Sequence, residues 1–145
     1  EETSKRFANA ERARMGERPL DFDSAENSAL LIDGRKKTLG ALIEGALVLK
    51  EGRRLLADFD LRSEQKISQA LSRAPNLKRG VERLYGISYE DFREFMLLPQ
   101  ARREVLNETF EGGNMNFDEW MREQKKRAGV RLYFTGFRWS GDKVE

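Results

Sequence analysis

The sequence predicts a mostly α-helical, multi-helix domain of elongated build, with a kinked long helix and a short C-terminal β-strand or hairpin. Three observations carry this. Apolar residues recur at three- and four-residue spacing over most of the chain. Charged residues fill 36% of the 145 positions against 39% for the hydrophobic set, so the core is thin and the surface densely charged. Two-residue alternation occurs only near the C terminus.

Residues 4–15 read as a short helix with Phe7, Ala8 and Met15 on one side, stopped by Gly16. Residues 18–24 are a loop, with Asp23 or Ser24 as the next cap. A helical turn or two across 25–33 completes an N-terminal arm over 1–34, and the helical domain proper spans 35–145. Residues 35–58 form the strongest helix of the first half, with Leu39, Leu42, Ile43, Ala46, Leu47, Leu49, Leu55 and Leu56 on its apolar face. Gly40, Gly45 and Gly52 recur inside it, each costing ~1 kcal/mol against alanine. They imply either close helix contact or a break near Gly52.

Ser63 is the expected cap of the next helix, which runs to about Arg73 with Ile67, Ala70 and Leu71 inward. Pro75 breaks it, and a short helix follows to Tyr85. Gly86 then supplies a left-handed stop. Ser88 caps a long helix from ~89 to ~110, with Asp91 against its positive end. Pro99 is expected to kink this helix, because its ring clashes with the carbonyl four residues back. Asn116 and Glu119 form a capping-box-like start to a last helix that ends at Gly129. The spacing predicts that Leu42, Ile43, Leu47, Leu71, Leu84, Phe92, Phe95, Leu106 and Trp120 are mostly buried.

Beyond Gly129, Val130, Leu132 and Phe134 alternate with Arg131, Tyr133 and Thr135, as in a half-buried strand. A strand needs a partner for its backbone groups. Residues 30–33, the tail at 143–145 or a second copy of the chain are the candidates. A homodimer by strand or segment exchange is slightly preferred. Val130, Leu132, Phe134, Phe137 and Trp139 would lie at that pairing or oligomer interface.

The composition narrows the chemistry. Cysteine and histidine do not occur, which removes disulfides, thiol nucleophiles and the commonest general base and zinc ligand. No apolar run reaches the roughly 18–20 residues of a membrane span. Glu1-Glu2-Thr3 is not signal-peptide chemistry, so export implies a leader already removed. The carboxylate pairs Asp21/Asp23, Asp58/Asp60, Glu90/Asp91 and Glu108/Glu111 sit in no catalytic or calcium-loop context and read as solvated surface. Arg35-Lys-Lys37, Arg102-Arg103 and Lys125-Lys-Arg127 are interspersed with acids. They read as charged helix faces, and nucleic acid is not expected as a partner. Ser63, Ser88 and Ser140 have capping or turn roles. Phe92, Phe95, Met96, Trp120 and Met121 fit either a core or an apolar groove for unfolded peptide, since methionine and aromatics repack against varied partners.

The order of segments resembles the N-terminal chaperone domain of the SurA and PpiC-type periplasmic folding factors. Tyr85-Gly-Ile-Ser88 with Phe92-Arg93 is similar to the element that opens that domain's long helix. Leu39-Gly-Ala-Leu-Ile43, Leu47-Val-Leu49 and Arg54-Leu-Leu-Ala-Asp58 resemble an earlier helix, and residues 59–67 the start of the next. Phe117-Asp-Glu-Trp-Met121 and residues 126–133 resemble the closing helix and strand. The likeness covers roughly residues 35–135, and the chain carries no parvulin isomerase domain. It implies a non-catalytic, cofactor-free and extracytoplasmic module that binds unfolded or exported polypeptide. The peptide site would be Phe92, Phe95, Met96, Trp120 and Met121. A helical adaptor for one folded partner is the alternative.

Overall fold

The computed structural model of the chain describes residues 5, 8–9, 12–13, 15–22, 24–113, 115–133 and 136–145, without the side chains of 25, 26 and 28. Its helices are α1 (Ala25–Leu55), α2 (Phe59–Arg73), α3 (Leu77–Tyr85), α4 (Tyr89–Phe92), a π-helical turn (Arg93–Leu97), α5 (Leu98–Gly112) and α6 (Phe117–Arg127). The protein is mostly helical. The described residues contain no strand, and the one β-bridge joins Trp139 to Val144.

The first long helix starts at Ala25 rather than near Arg35, so it crosses the expected boundary between arm and domain. At 31 residues it is about 46 Å long at 1.5 Å per residue. Its polar stretch is held locally. Asp33 pairs with Lys37 at 2.7 Å, and the Thr38 hydroxyl donates to the Gly34 carbonyl. Only its C-terminal half enters the core, through Leu47, Val48 and Leu49. Leu30, Ile32 and Leu42 remain exposed. In the arm, the Asn9 side chain brackets Leu20, accepting from its N–H at 2.7 Å and donating to its carbonyl. The Phe7 side of the expected arm helix lies outside the described residues.

The chain reverses between α1 and α2 over three residues. Gly52 is buried against Phe59, whose ring is fully buried. A Cβ at Gly52 would lie 2.2–2.5 Å from the ring atoms. The sequence posed contact or a break as alternatives, and both occur: Gly52 seats the ring, and α1 ends at Leu55. The Leu56 N–H still bonds the Gly52 carbonyl, and the Phe59 N–H bonds Leu56. α2 therefore starts at Phe59 with Asp58 in the cap position, five residues before the expected cap Ser63. Ser63 is instead buried, its hydroxyl donating to the Phe59 carbonyl at 2.9 Å.

The core is one cluster of Val48, Phe59, Val105, Leu106, Phe110, Phe117, Trp120 and Met121. Phe110, Phe117 and Trp120 meet edge-on or tilted at centroid separations of 5.1–6.1 Å, geometries favoured by the ring quadrupoles. α5 is central and packs on α1, α2 and α6. A second cluster of Ile67, Leu98 and Ala101 continues the α2–α5 seam, with Leu71 and Leu97 packed against it. Of the nine expected core residues, Leu106 and Trp120 are buried and Ile43, Leu47, Leu71 and Phe92 half-buried. Leu42, Leu84 and Phe95 are exposed.

The expected strand over 130–135 is not formed. Residues 130–133 carry no ladder, and Phe134 and Thr135 lie outside the described residues. Val130 and Leu132 are half-buried while Arg131 and Tyr133 are exposed, so the alternation records one-sided burial of an extended segment rather than pairing. Backbone pairing appears later and within the chain. Arg138 and Glu145 exchange both N–H···O bonds at 2.9–3.0 Å around a turn at Ser140–Lys143. Gly141 takes φ 93° in that turn, where an L side chain would be strained.

The Gly52–Phe59 contact predicts a sign change. Gly52→Ala should cost about 1–3 kcal/mol by overpacking. In a Phe59→Ala background the same substitution should be neutral or stabilising, because alanine is the better helix former. Urea denaturation of the double-mutant cycle measures this coupling. A penalty that persists without the ring overturns the contact.

Candidate functional site

Gly86 and Ser88 set up the segment that carries the first three expected peptide-binding residues. Gly86 ends α3 in the left-handed conformation at φ 63°. The Ser88 hydroxyl accepts from the Asp91 N–H at 3.0 Å, and Glu90 and Asp91 occupy the first turn. The chain then stays helical from Tyr89 to Gly112, but not uniformly. Over Arg93–Leu97 the bonding widens, and the Leu98 N–H reaches the Arg93 carbonyl five residues back. Pro99 follows at once. It offers no N–H to the Phe95 carbonyl, and in a regular α-helix its ring would strike that carbonyl. Wider π winding accommodates both facts, so the departure from regular helix precedes the proline instead of centring on it.

Phe95 and Met96 lie on this turn, 60% and 47% exposed, and Phe92 beside them is half-buried. Trp120 and Met121 are buried in the main core. They support the fold and do not share a surface with Phe95 and Met96. Phe137 and Trp139 are half-buried near the tail hairpin, and the Trp139 indole N–H is buried without a partner among the described residues. Val130 and Leu132 are half-buried outside any strand, and Trp139 takes part in the bridge to Val144.

An open groove of about 470 Å³ runs between α2 and α5. Leu61 and Val105 give it an apolar strip, and Gln65, Gln69 and Thr109 give it neutral polar groups. Lys66 and Glu108 form an ion pair across it. Such a surface can hydrogen-bond a polar chain.

Most charged clusters noted in the sequence are occupied by ion pairs. Arg103 and Lys125 both reach Glu44, at 3.7 and 3.1 Å, and extend to Asp118 and Asp142. Arg103 also lies 4.7 Å from the Phe117 ring centroid. Asp58 pairs with Arg62. No group of three Asp or Glu among the described residues is placed to hold a metal ion. No helix among them is long and apolar enough to cross a membrane. The sequence reading passed over the cations of α3. Arg79 and Arg83 stand four apart on one face with Glu82 between them in sequence, a spacing visible in the sequence but split from the usual clustered form.

Asp60 links three helices, accepting from Arg53 at 2.8 Å and Arg102 at 3.4 Å. The Arg53 hydrogen bond, then its charge and that of Arg102, hold the Asp60 carboxyl below its ordinary value despite some desolvation. A lowered folded value stabilises the fold above the unfolded-state pKa, and that stability is lost as pH falls through the folded value. Because the pair is half exposed, Asp60→Asn should cost at most about 0.5 kcal/mol at neutral pH. The difference should close below about pH 4. Denaturation midpoints against pH check this, and a gap that widens in acid rules it out.

Comparison with protein-family models, with curated proteins and with solved structures finds no match to this chain.

Proposed function

We propose that the protein is a non-catalytic polypeptide-binding module that engages unfolded or exported chains through apolar surface on its long helix. The observation that carries this reading is the exposure of Phe95 and Met96 on the π turn. Two large, adaptable apolar side chains sit in solvent where the helix departs from regular bonding. Contiguous exposed apolar side chains can serve as an interaction patch, and π turns frequently mark functional positions. Phe92 extends the patch. Trp120 and Met121 belong to the main core, where they pack with Val105, Leu106 and Phe110 of α5. The resemblance to SurA and PpiC-type chaperone domains agrees with this role and with work outside the cytoplasm. The reading includes no catalytic step and no cofactor.

Binding of this sort is broad, weak and little affected by salt. Phe95→Ser with Met96→Ser should lower affinity for a labelled, permanently unfolded protein about tenfold, equivalent to ~1.4 kcal/mol. Both side chains are exposed, so the melting temperature should hardly move. Fluorescence anisotropy and thermal denaturation read the two quantities. Unchanged affinity in the double variant overturns the site. Failure to bind any unfolded probe, with tight capture of one folded protein, favours an adaptor instead.

A further inference from the structure

Residues 67–89 hold four cations, Arg73, Lys78, Arg79 and Arg83, and one carboxylate, Glu82. Elsewhere the chain matches many of its cations with acids across helices. Here it does not. Lys78 stands over the Tyr89 ring at 4.8 Å. Arg73, Arg79 and Arg83 make no ion pair or side-chain hydrogen bond among the described residues, although Glu82 lies three positions from Arg79. Arg79 and Arg83 are exposed on α3 at four-residue spacing, where like charges repel and weaken the helix.

The next row round the same helix is Gly80 and Leu84, again four apart. Leu84 is 55% exposed. A Cβ at Gly80 would meet nothing within 4 Å, so the backbone there is open to approach. α3 itself rests chiefly on α4, with Val81 as its buried residue. Its outer side therefore shows a cationic row beside an apolar row, on one short element at the edge of the helical body.

We propose that this face of α3 docks an acidic polypeptide segment carrying a large apolar side chain. The guanidinium forks of Arg79 and Arg83 suit carboxylates spaced three or four residues apart. Leu84 and the open backbone at Gly80 take the apolar side chain. Arg73, at the end of α2, adds to the positive field. A nucleic-acid backbone would use the arginines and leave Leu84 facing water, since phosphate contacts need no apolar partner. The site goes beyond the unfolded-chain reading and uses different residues.

The test uses the whole chain and a labelled helical peptide with glutamate and leucine rows at four-residue spacing. Its glutamine counterpart and a single-stranded oligonucleotide serve as rival probes. Arg79→Gln with Arg83→Gln should weaken peptide binding about tenfold or more, and Leu84→Ser about threefold or more. The glutamine peptide should bind no better than the double variant binds the acidic one. Amide resonances of residues 77–85 should shift on titration. Phe95→Ser with Met96→Ser should leave this binding intact, which separates the two surfaces. Circular dichroism confirms that each variant folds. The proposal is overturned if the acidic peptide does not bind, or if the glutamine peptide binds equally. It is also overturned if the oligonucleotide binds more tightly with no response to Leu84→Ser.

Discussion

The Phe59 ring seated on Gly52 is the constraint on which the rest of the packing depends. No other residue type at position 52 lets an aromatic ring come this close to the backbone of α1. With the ring in place, α2 starts at Phe59 and runs back along the first helix, and Ser63 turns its hydroxyl onto the Phe59 carbonyl. Phe59 then reaches Val48, Leu106 and Phe110, which come from two other helices. α5 packs on both α1 and α2. α6 closes over the remaining side with Phe117, Trp120 and Met121.

Charge plays a different part. With 36% charged residues, the surface cannot draw much stability from any single exposed pair. What the pairs do is choose between packings of similar apolar area. Asp60 ties Arg53 of α1 to Arg102 of α5, and Glu44 ties Arg103 to Lys125. Glu64 and Glu108 receive Arg93 and Lys66 along the α2–α5 seam. Each link joins helices far apart in sequence, so a helix that rotated or slid would lose its partners. The arginines of α3 stand outside this pattern, as do Arg18, Arg122 and Arg131 among the described residues.

Local signals in the sequence were legible where a short-range rule governs the chain. Gly86, Ser88 and Asn116 stop and start helices as their chemistry dictates, with the Asn116 side chain accepting from the Glu119 N–H. The start of α1 was hidden because residues 33–37 have no apolar row, and only side-chain bonds along the helix sustain it. Ser63 has the composition of a cap, yet burial beside Phe59 gives it another acceptor. Alternation over 130–135 has the form of a ladder, although at 130–133 it reports only which side chains are half-buried. For the candidate surface, spacing placed Phe95 and Trp120 in one apolar set. The structure divides that set: Trp120 stands on α6 in the main core, while Phe95 is exposed on the π turn, which shifts the helical phase between Phe92 and Leu98.

That shift has a consequence for how the long helix tolerates insertion and deletion. A π turn is, in effect, one residue more than the α-helix needs to advance the same bonding step. Each residue turns an α-helix by about 100°. Removing one residue between 93 and 97 would restore regular winding and leave the downstream helix in its present orientation, because the wider turn is what absorbs the extra residue. Ala101, Val105 and Leu106 would keep their places in the core, and Arg102 its place beside Asp60. Residues 93–97 thus work as a phase adjuster: they let one rod serve two differently oriented environments. Loss of one residue is therefore open to this chain at 93–97, whereas the same loss within 98–112 would turn the rest of the helix by about 100°.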